Sequence, residues 1–397
     1  MSKLIIDGGR RLNGTVRISA AKNSILPIIA ASLLSSDICI LEDISLLEDV
    51  YCMGDVLKSL GADVTIDDNK IVIDPRNILY FEPPYDLVRK IRASFLVMGP
   101  LLAKMGKVKI SLPGGCNIGT RPIDLHLKGL CALGANINIG HGYVEAEASK
   151  LHGAKIYLDF PSVGATENII MASTLSEGET IIENSAEEPE IVDLANYLNS
   201  MGANIVGAGT DTIKIMGVES LKGSSHCLIP DRIEAGTFMI ACAVAGGDVR
   251  IENVIIEHVK PVIAKLTEAG VEVIEEQNSV RIISKERPKA IDIKTLPYPG
   301  FPGFPTDLQA PMMALLSISD GTGIITETVF ENRFMHVCEL NRMGANIKID
   351  GRSAVIEGVS KLTGAMVRAT DLRAGAALVI AGLIADGRTE ISDVYHI

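Results

Sequence analysis

The chain has 397 residues, 47% hydrophobic and only 4% aromatic with no Trp, and a formal net charge of −12. That length implies two or three domains with large cores, here built from Ile, Leu, Val, Ala and Met. The acidic balance excludes nucleic acid and anionic membranes as whole-chain partners, so any anionic ligand needs a local cationic pocket.

The opening MSKLIIDGG reads as a strand and not a signal peptide. The first apolar run, ILPIIAASLL from Ile25, is too short to span a bilayer. Seven cysteines (39, 52, 116, 131, 227, 242 and 338) show no CxxC spacing, which suits reduced thiols better than a disulfide framework or a zinc site. The expectation is a soluble, cytoplasmic protein without membrane insertion.

Two repeats interleave along the chain. One is an apolar, Ala-rich helix, a turn and a strand: 26–44, 95–113, 168–186, 236–254, 310–328 and 375–393. These six helices are apolar nearly all round and belong inside a core. The other is a helix end, a glycine and an alternating strand: LKSLGADVTID (57–67), LCALGANINIG (130–140), LNSMGANIVGA (198–208), LTEAGVEVIEE (266–276) and LNRMGANIKID (340–350). Its five glycines, at 61, 134, 202, 270 and 344, recur about every 70 residues at left-handed C-cap positions. The same spacing calls for a sixth such helix near residue ~414, beyond Ile397, so the sixth unit reads as incomplete at the C-terminus. The reading is a two-domain inside-out α/β barrel of six repeated β/α units: 22–229 as one domain with three units, and 1–21 plus 230–397 as the second. A TIM barrel or Rossmann fold fits less well, since no GxGxxG opens a helix.

Polar residues that break the pattern gather in a few stretches, many just before a buried helix, where free N–H groups favour anions. Lys22, Arg92, Arg121, Arg333 and Arg373 flank such helices, pointing to a phosphate- or carboxylate-bearing substrate. SLPGGCNIGTRPIDLH (111–126) presents Cys116 on a glycine-rich loop with Arg121 beside it. Glycines there permit loop closure, and nearby cations lower a thiol pKa, so the residues allow either a reactive cysteine or an incidental turn.

The stretches AAKNS, RAS, LPGGCNIGTRPIDLH, SVGATEN, PEIVD, PDRIEAGTF, FPTDLQAP, FENRFMH and ATDLRAG, in order and across the whole chain, resemble the UDP-N-acetylglucosamine enolpyruvyl transferases. The resemblance implies transfer of the enolpyruvyl group of phosphoenolpyruvate to the 3′-hydroxyl of UDP-N-acetylglucosamine, with release of phosphate, as the first committed step of peptidoglycan synthesis. It implies Cys116 as proton donor, able to form an adduct with phosphoenolpyruvate, and Asp307 as base, with Lys22 as a further catalytic residue. It implies Lys22, Asn23, Arg121 and Arg373 for phosphoenolpyruvate, and Asn23, Arg92, Arg121, Pro122, Ile123, Asp124, Leu125, Asp307 and Val329 for the sugar nucleotide. Arg333, Asp371 and Glu190 organise charge, and His126 either tunes the thiol or is a structural histidine. No metal or cofactor is implied, and the chain is expected to be a monomer or weak oligomer. The related 5-enolpyruvylshikimate-3-phosphate synthases share the fold and are the rival enzyme class; an inactive, truncated paralogue that binds UDP-N-acetylglucosamine is the other alternative.

Three departures stand out. PGF occurs twice, at 299–301 and 302–304, where the family has it once, so the extra residues either displace Asp307 or bulge outward. The family continues past YHI to an Arg that contacts phosphoenolpyruvate. Phe160 replaces a Lys that some members place near the nucleotide.

Overall fold

The computed structural model describes residues 2–112, 122–297 and 303–396. Cys116, Arg121 and most of the duplicated PGF stretch lie outside the described residues. Of these residues, 2–18 and 230–396 form one compact unit, and 19–112 with 122–229 form the other. Each unit has its own hydrophobic core.

The apolar repeats are helices, and they are buried. In the unit of 230–396, helices Arg232–Ala245, Gln309–Leu316 and Leu372–Ile384 pack on one another, and every residue of Gln309–Leu316 is buried. In the other unit, Met98–Met105 packs on Val163–Ser173, and Lys22–Ala31 packs on Pro189–Ser200. With no polar face, such helices gain stability from burial, at ~1.5–3 kcal/mol for each large side chain. Their first turns are fixed locally. Asp231 accepts from Ile233 N and Glu234 N, and Asp371 accepts from Arg373 N and Ala374 N. Such side-chain caps are worth ~1 kcal/mol each.

The second repeat forms amphipathic helices such as Glu48–Leu60, with Glu48 and Asp49 in its first turn and Lys58 in its last, as the helix dipole favours. Its glycine ends the helix in every copy: φ is 107° at Gly61, 97° at Gly134, 105° at Gly202, 85° at Gly270 and 93° at Gly344. A side chain at such angles is strained, which is why the repeat keeps glycine there.

Among the described residues, four sheets share one strand order. In the first, Leu12–Arg17 runs parallel to Gly247–Glu252, then Ser279–Ser284 and Glu272–Glu276 follow as an antiparallel hairpin. The sheets centred on Cys39–Glu42, Glu179–Glu183 and Thr322–Thr326 repeat it. Two further sheets have three strands among the described residues: Lys107–Ser111, Tyr143–Glu147 and Asn136–Ile139 in one, Leu4–Asp7, Arg388–Ser392 and Met366–Arg368 in the other. Central strands alternate in burial, as in Glu179–Glu183, so one face of each sheet covers the helices.

One placement differs from the sequence reading. Lys22 and Arg92 open helical segments and Arg373 lies in the first turn of Leu372–Ile384, but Arg333 flanks no buried apolar helix. It lies in the turn 331–336 ahead of the short helix Val337–Arg342. The helix period cannot reveal this, because an irregular turn has none.

Candidate active site

In the unit of 230–396, three charged residues converge. Thr306–Leu308 is a single 3₁₀ turn entering helix Gln309–Leu316, and it presents Asp307. Arg333 Nη2 donates to Asp307 Oδ1 at 2.6 Å, and Arg373 Nη2 donates to Oδ2 at 2.8 Å. The Arg333 side chain is only 4% exposed and is held on its other edge by Thr306 Oγ1 at 2.9 Å and the Phe330 ring. Arg373 is placed by the Asp371 cap. Burial raises the Asp307 pKa, yet the two guanidiniums outweigh it and hold the carboxyl well below the ordinary range. The doubled PGF ends at Phe304, which is buried and exchanges backbone hydrogen bonds with Lys294 and Leu296. Asp307 follows three residues later, between its two arginines.

His336 lies in the same unit. Burial and Arg333 depress its pKa to about 4 against the pull of Asp371, so it is neutral near pH 7. Val329 N donates to Glu327 Oε1 at 2.8 Å.

In the other unit, Lys22 Nζ pairs with Asp49 at 2.6 Å, and Asn23 is exposed beside it on the first turn of Lys22–Ala31. Asp124 begins helix Asp124–Ala132, with Pro122 exposed and Ile123 and Leu125 half-buried around it. His126 is buried, and its Nδ1 accepts from Asn168 Nδ2 at 2.9 Å, with the Phe95 ring edge-on at 5.2 Å. Asn168 also donates to Phe95 O and accepts from Gly99 N. It therefore joins its own helix to the segments carrying Arg92 and His126. Glu190 is buried near Glu167. Burial first, then Glu190 and Glu188, raise the Glu167 pKa well above normal.

Desolvation, reinforced by Arg92, lowers the His126 pKa to about 4. The unfolded chain binds that proton near pH 6.5, so stability from this group is complete above about pH 6.5 and is lost as pH falls toward 4. Urea unfolding at pH 7 and pH 5 checks this: His126→Gln is expected to lose less stability over that interval than the parent chain. An equal loss in both sinks the assignment.

A trio of Ser24, Asp193 and His226 also lies in this unit. Asp193 accepts from Ser24 Oγ, and His226 Nε2 bonds to it at 2.9 Å. Nucleophile activation needs the imidazole between the hydroxyl and the carboxylate. Here the carboxylate is central and Ser24 is fully buried, so the trio is structural.

Asn168 and Asp193 lie inside the stretches SVGATEN and PEIVD, yet neither stretch marks them as site residues. Thr306 and Glu327, which brace Asp307 and Val329, are equally unmarked in the sequence. A polar residue inside an apolar run is their sequence signal, but their partners are remote in the chain. Among the described residues, no group of three or more His, Cys, Asp or Glu could hold a metal ion, and no helix is long and apolar enough to cross a membrane.

Repeated β/α units with buried helices are the architecture of the enolpyruvyl transferase class. The enolpyruvyl transferase NikO from Streptomyces tendae superposes with a TM-score of 0.90 at 26% identity, over 100% of this chain and 94% of that one. EPSP synthase from Acinetobacter baumannii has the same fold, with a TM-score of 0.75 at 18% identity over 99% and 95%. The profile of the family described as EPSP synthase (3-phosphoshikimate 1-carboxyvinyltransferase) matches residues 6–397. UDP-N-acetylglucosamine 1-carboxyvinyltransferase 1 of Caldanaerobacter subterraneus subsp. tengcongensis is 66% identical over 396 residues, covering 100% of this chain and 94% of the relative. UDP-N-acetylglucosamine 1-carboxyvinyltransferase 2 of Clostridium tetani is 62% identical over 399 residues, covering 100% and 95%. The chain belongs to the enolpyruvyl transferase family, on its UDP-N-acetylglucosamine 1-carboxyvinyltransferase branch.

Proposed function

We propose that this chain transfers the enolpyruvyl group of phosphoenolpyruvate to the 3′-hydroxyl of UDP-N-acetylglucosamine, releasing phosphate, in peptidoglycan synthesis. The observation that carries the reading is the 62–66% identity, over the full chain, to two relatives bearing that activity's name. The Asp307 cluster supports it. The hydroxyl oxygen bonds to C2 of phosphoenolpyruvate while its proton passes to Asp307, and the methylene carbon gains a proton from Cys116. Loss of phosphate from C2 and of a proton from C3 then restores the double bond.

A carboxylate held by two arginines is a weak base, and proton transfer works best when pKa values are matched. Arg373 has five N–H donors. An anionic substrate that drew Arg373 away from Asp307 would raise the carboxyl pKa at the moment a base is needed. Lys22, Asn23 and Arg121 are the further residues we assign to phosphoenolpyruvate. We assign Arg92, Pro122 to Leu125 and Val329 to the sugar nucleotide, and Arg333, Asp371 and Glu190 to organising charge. We place the enzyme in the cytoplasm, with its domains divided near residues 21 and 229.

The test is phosphate release from phosphoenolpyruvate with UDP-N-acetylglucosamine or shikimate 3-phosphate as acceptor. Release with the sugar nucleotide alone is expected; release only with shikimate 3-phosphate, or with neither, overturns the reading. Fosfomycin, an epoxide that alkylates the family's loop cysteine, is expected to add once to the intact mass and not at all to Cys116→Ser. Equal labelling of that variant removes Cys116 from the assignment.

A further inference from the structure

Resting on the carboxyvinyl transfer proposed above, we infer that Glu327 is a positioning residue that holds the Asp307 turn and the Val329 turn in fixed relation. Glu327 is 1% exposed and forms no salt bridge among the described residues. A buried carboxylate is costly unless hydrogen bonds satisfy it, and Glu327 accepts four. Thr295 Oγ1 donates to Oε1 at 2.9 Å, and Val329 N and Phe330 N donate to the same oxygen at 2.8 and 3.1 Å. Thr306 Oγ1 donates to Oε2 at 2.8 Å.

The Thr306 bond has a direction. A hydroxyl has one proton and two lone pairs, and a guanidinium only donates. Thr306 therefore gives its proton to Glu327 and accepts from Arg333 Nη1, whose other nitrogen grips Asp307. The chain of donors runs from the base cluster through Thr306 to Glu327. On its other oxygen, Glu327 closes the backbone turn that carries Val329. Thr295, on the neighbouring segment, anchors it and accepts from Thr328 N at 3.0 Å. One side chain thus sets the spacing between the proposed base and a proposed contact of the sugar nucleotide. Positional errors of about 1 Å at reacting groups cost ~100-fold in rate.

Glutamine at 327 keeps the shape but aims N–H donors at a site built from donors. The experiment compares E327Q, T306V, T306S and the E327Q/T306V double variant in the phosphate-release assay. Parent activity is measured first: no release by the parent chain is the failure of the proposed function, and parent release with unaltered variants is the failure of the positioning role. We expect kcat to fall about 10- to 100-fold in E327Q and in T306V. KM for UDP-N-acetylglucosamine is expected to rise in E327Q alone, because T306V leaves the Val329 turn intact. T306S, which keeps the hydroxyl, recovers most of the rate. The double variant is expected to be no slower than the slower single one, as coupled residues lose the same interaction once. Multiplicative losses, a normal kcat in E327Q, or a T306S as slow as T306V overturns the inference. T306V removes no buried charge, so it keeps the test decisive even where E327Q unfolds.

Discussion

Asp307→Ala is expected to lower kcat about 10²–10⁴-fold, the range for loss of a proton-transfer group, and to destabilise the fold by about 3–5 kcal/mol. The second effect follows from Arg333. Its guanidinium is almost wholly buried, and Asp307 is its carboxylate partner. Removing one member of a buried pair strands the other charge without water, which costs more than the pair itself contributes. Arg373, at 19% side-chain exposure, recovers part of its hydration and adds less. The pH dependence follows from the lowered folded-state pKa. The group contributes its stability above the unfolded carboxyl pKa of about 3.9, and loses it as pH falls further. Urea unfolding of parent and variant should therefore differ by a constant amount from pH 5 to 8, with the gap narrowing below about pH 4. Unchanged kcat in the folded variant removes the base assignment, and an unchanged unfolding midpoint removes the stranded-charge argument. Asp307→Asn separates the two, since its amide oxygen still accepts from one arginine but takes up no proton at these pH values.

The features legible in the sequence are those set by near neighbours. Helix faces, the left-handed glycines and the alternating strands depend on residues within a few positions, so Gly61 or Gly270 announces its backbone angle locally. Lys22, Asp307 and Arg373 sit in long motifs at the starts of buried helices, so their placement is legible locally. Pairings across the chain carry no such signal. Gly99 and Asn168 are 69 residues apart, and Ser24 and Asp193 are separated by 169. Nothing in either stretch names the other. Glu327 was hidden differently. It follows an apolar strand, where a charge usually marks solvent exposure, and only the fold shows four donors waiting for it. Arg333 sits in a turn and not before a buried helix, which the sequence does not reveal because turns lack a period.

Asp193→Ala carries the second large effect, also about 3–5 kcal/mol, in the unit of residues 19–229. Asp193 is 3% exposed and accepts from Ser24 Oγ, His226 Nε2 and, at 3.5 Å, Ile229 N. Alanine leaves the Ser24 hydroxyl, fully buried, and the His226 nitrogen without an acceptor, at ~1–3 kcal/mol for each orphaned group. The loss is also expected in activity. Ser24 lies in the first turn of the helix that begins at Lys22, so Asp193 holds the turn bearing Lys22 and Asn23 from the neighbouring helix. With that tie cut, kcat/KM for phosphoenolpyruvate is expected to drop about 10-fold even in the folded fraction, since misplaced binding groups lose transition-state contacts. Asp193→Asn discriminates between lost charge and lost hydrogen bonds. Its oxygen still accepts from His226, and its amide donates to Ser24, whose hydroxyl accepts as readily as it donates, so only the long 3.5 Å bond from Ile229 N is lost. Stability close to the parent in the asparagine variant, with the alanine variant several kcal/mol lower, assigns the role to hydrogen bonding. Equal losses in both variants assign it to the negative charge, and no loss in either removes Asp193 as the tie between these helices.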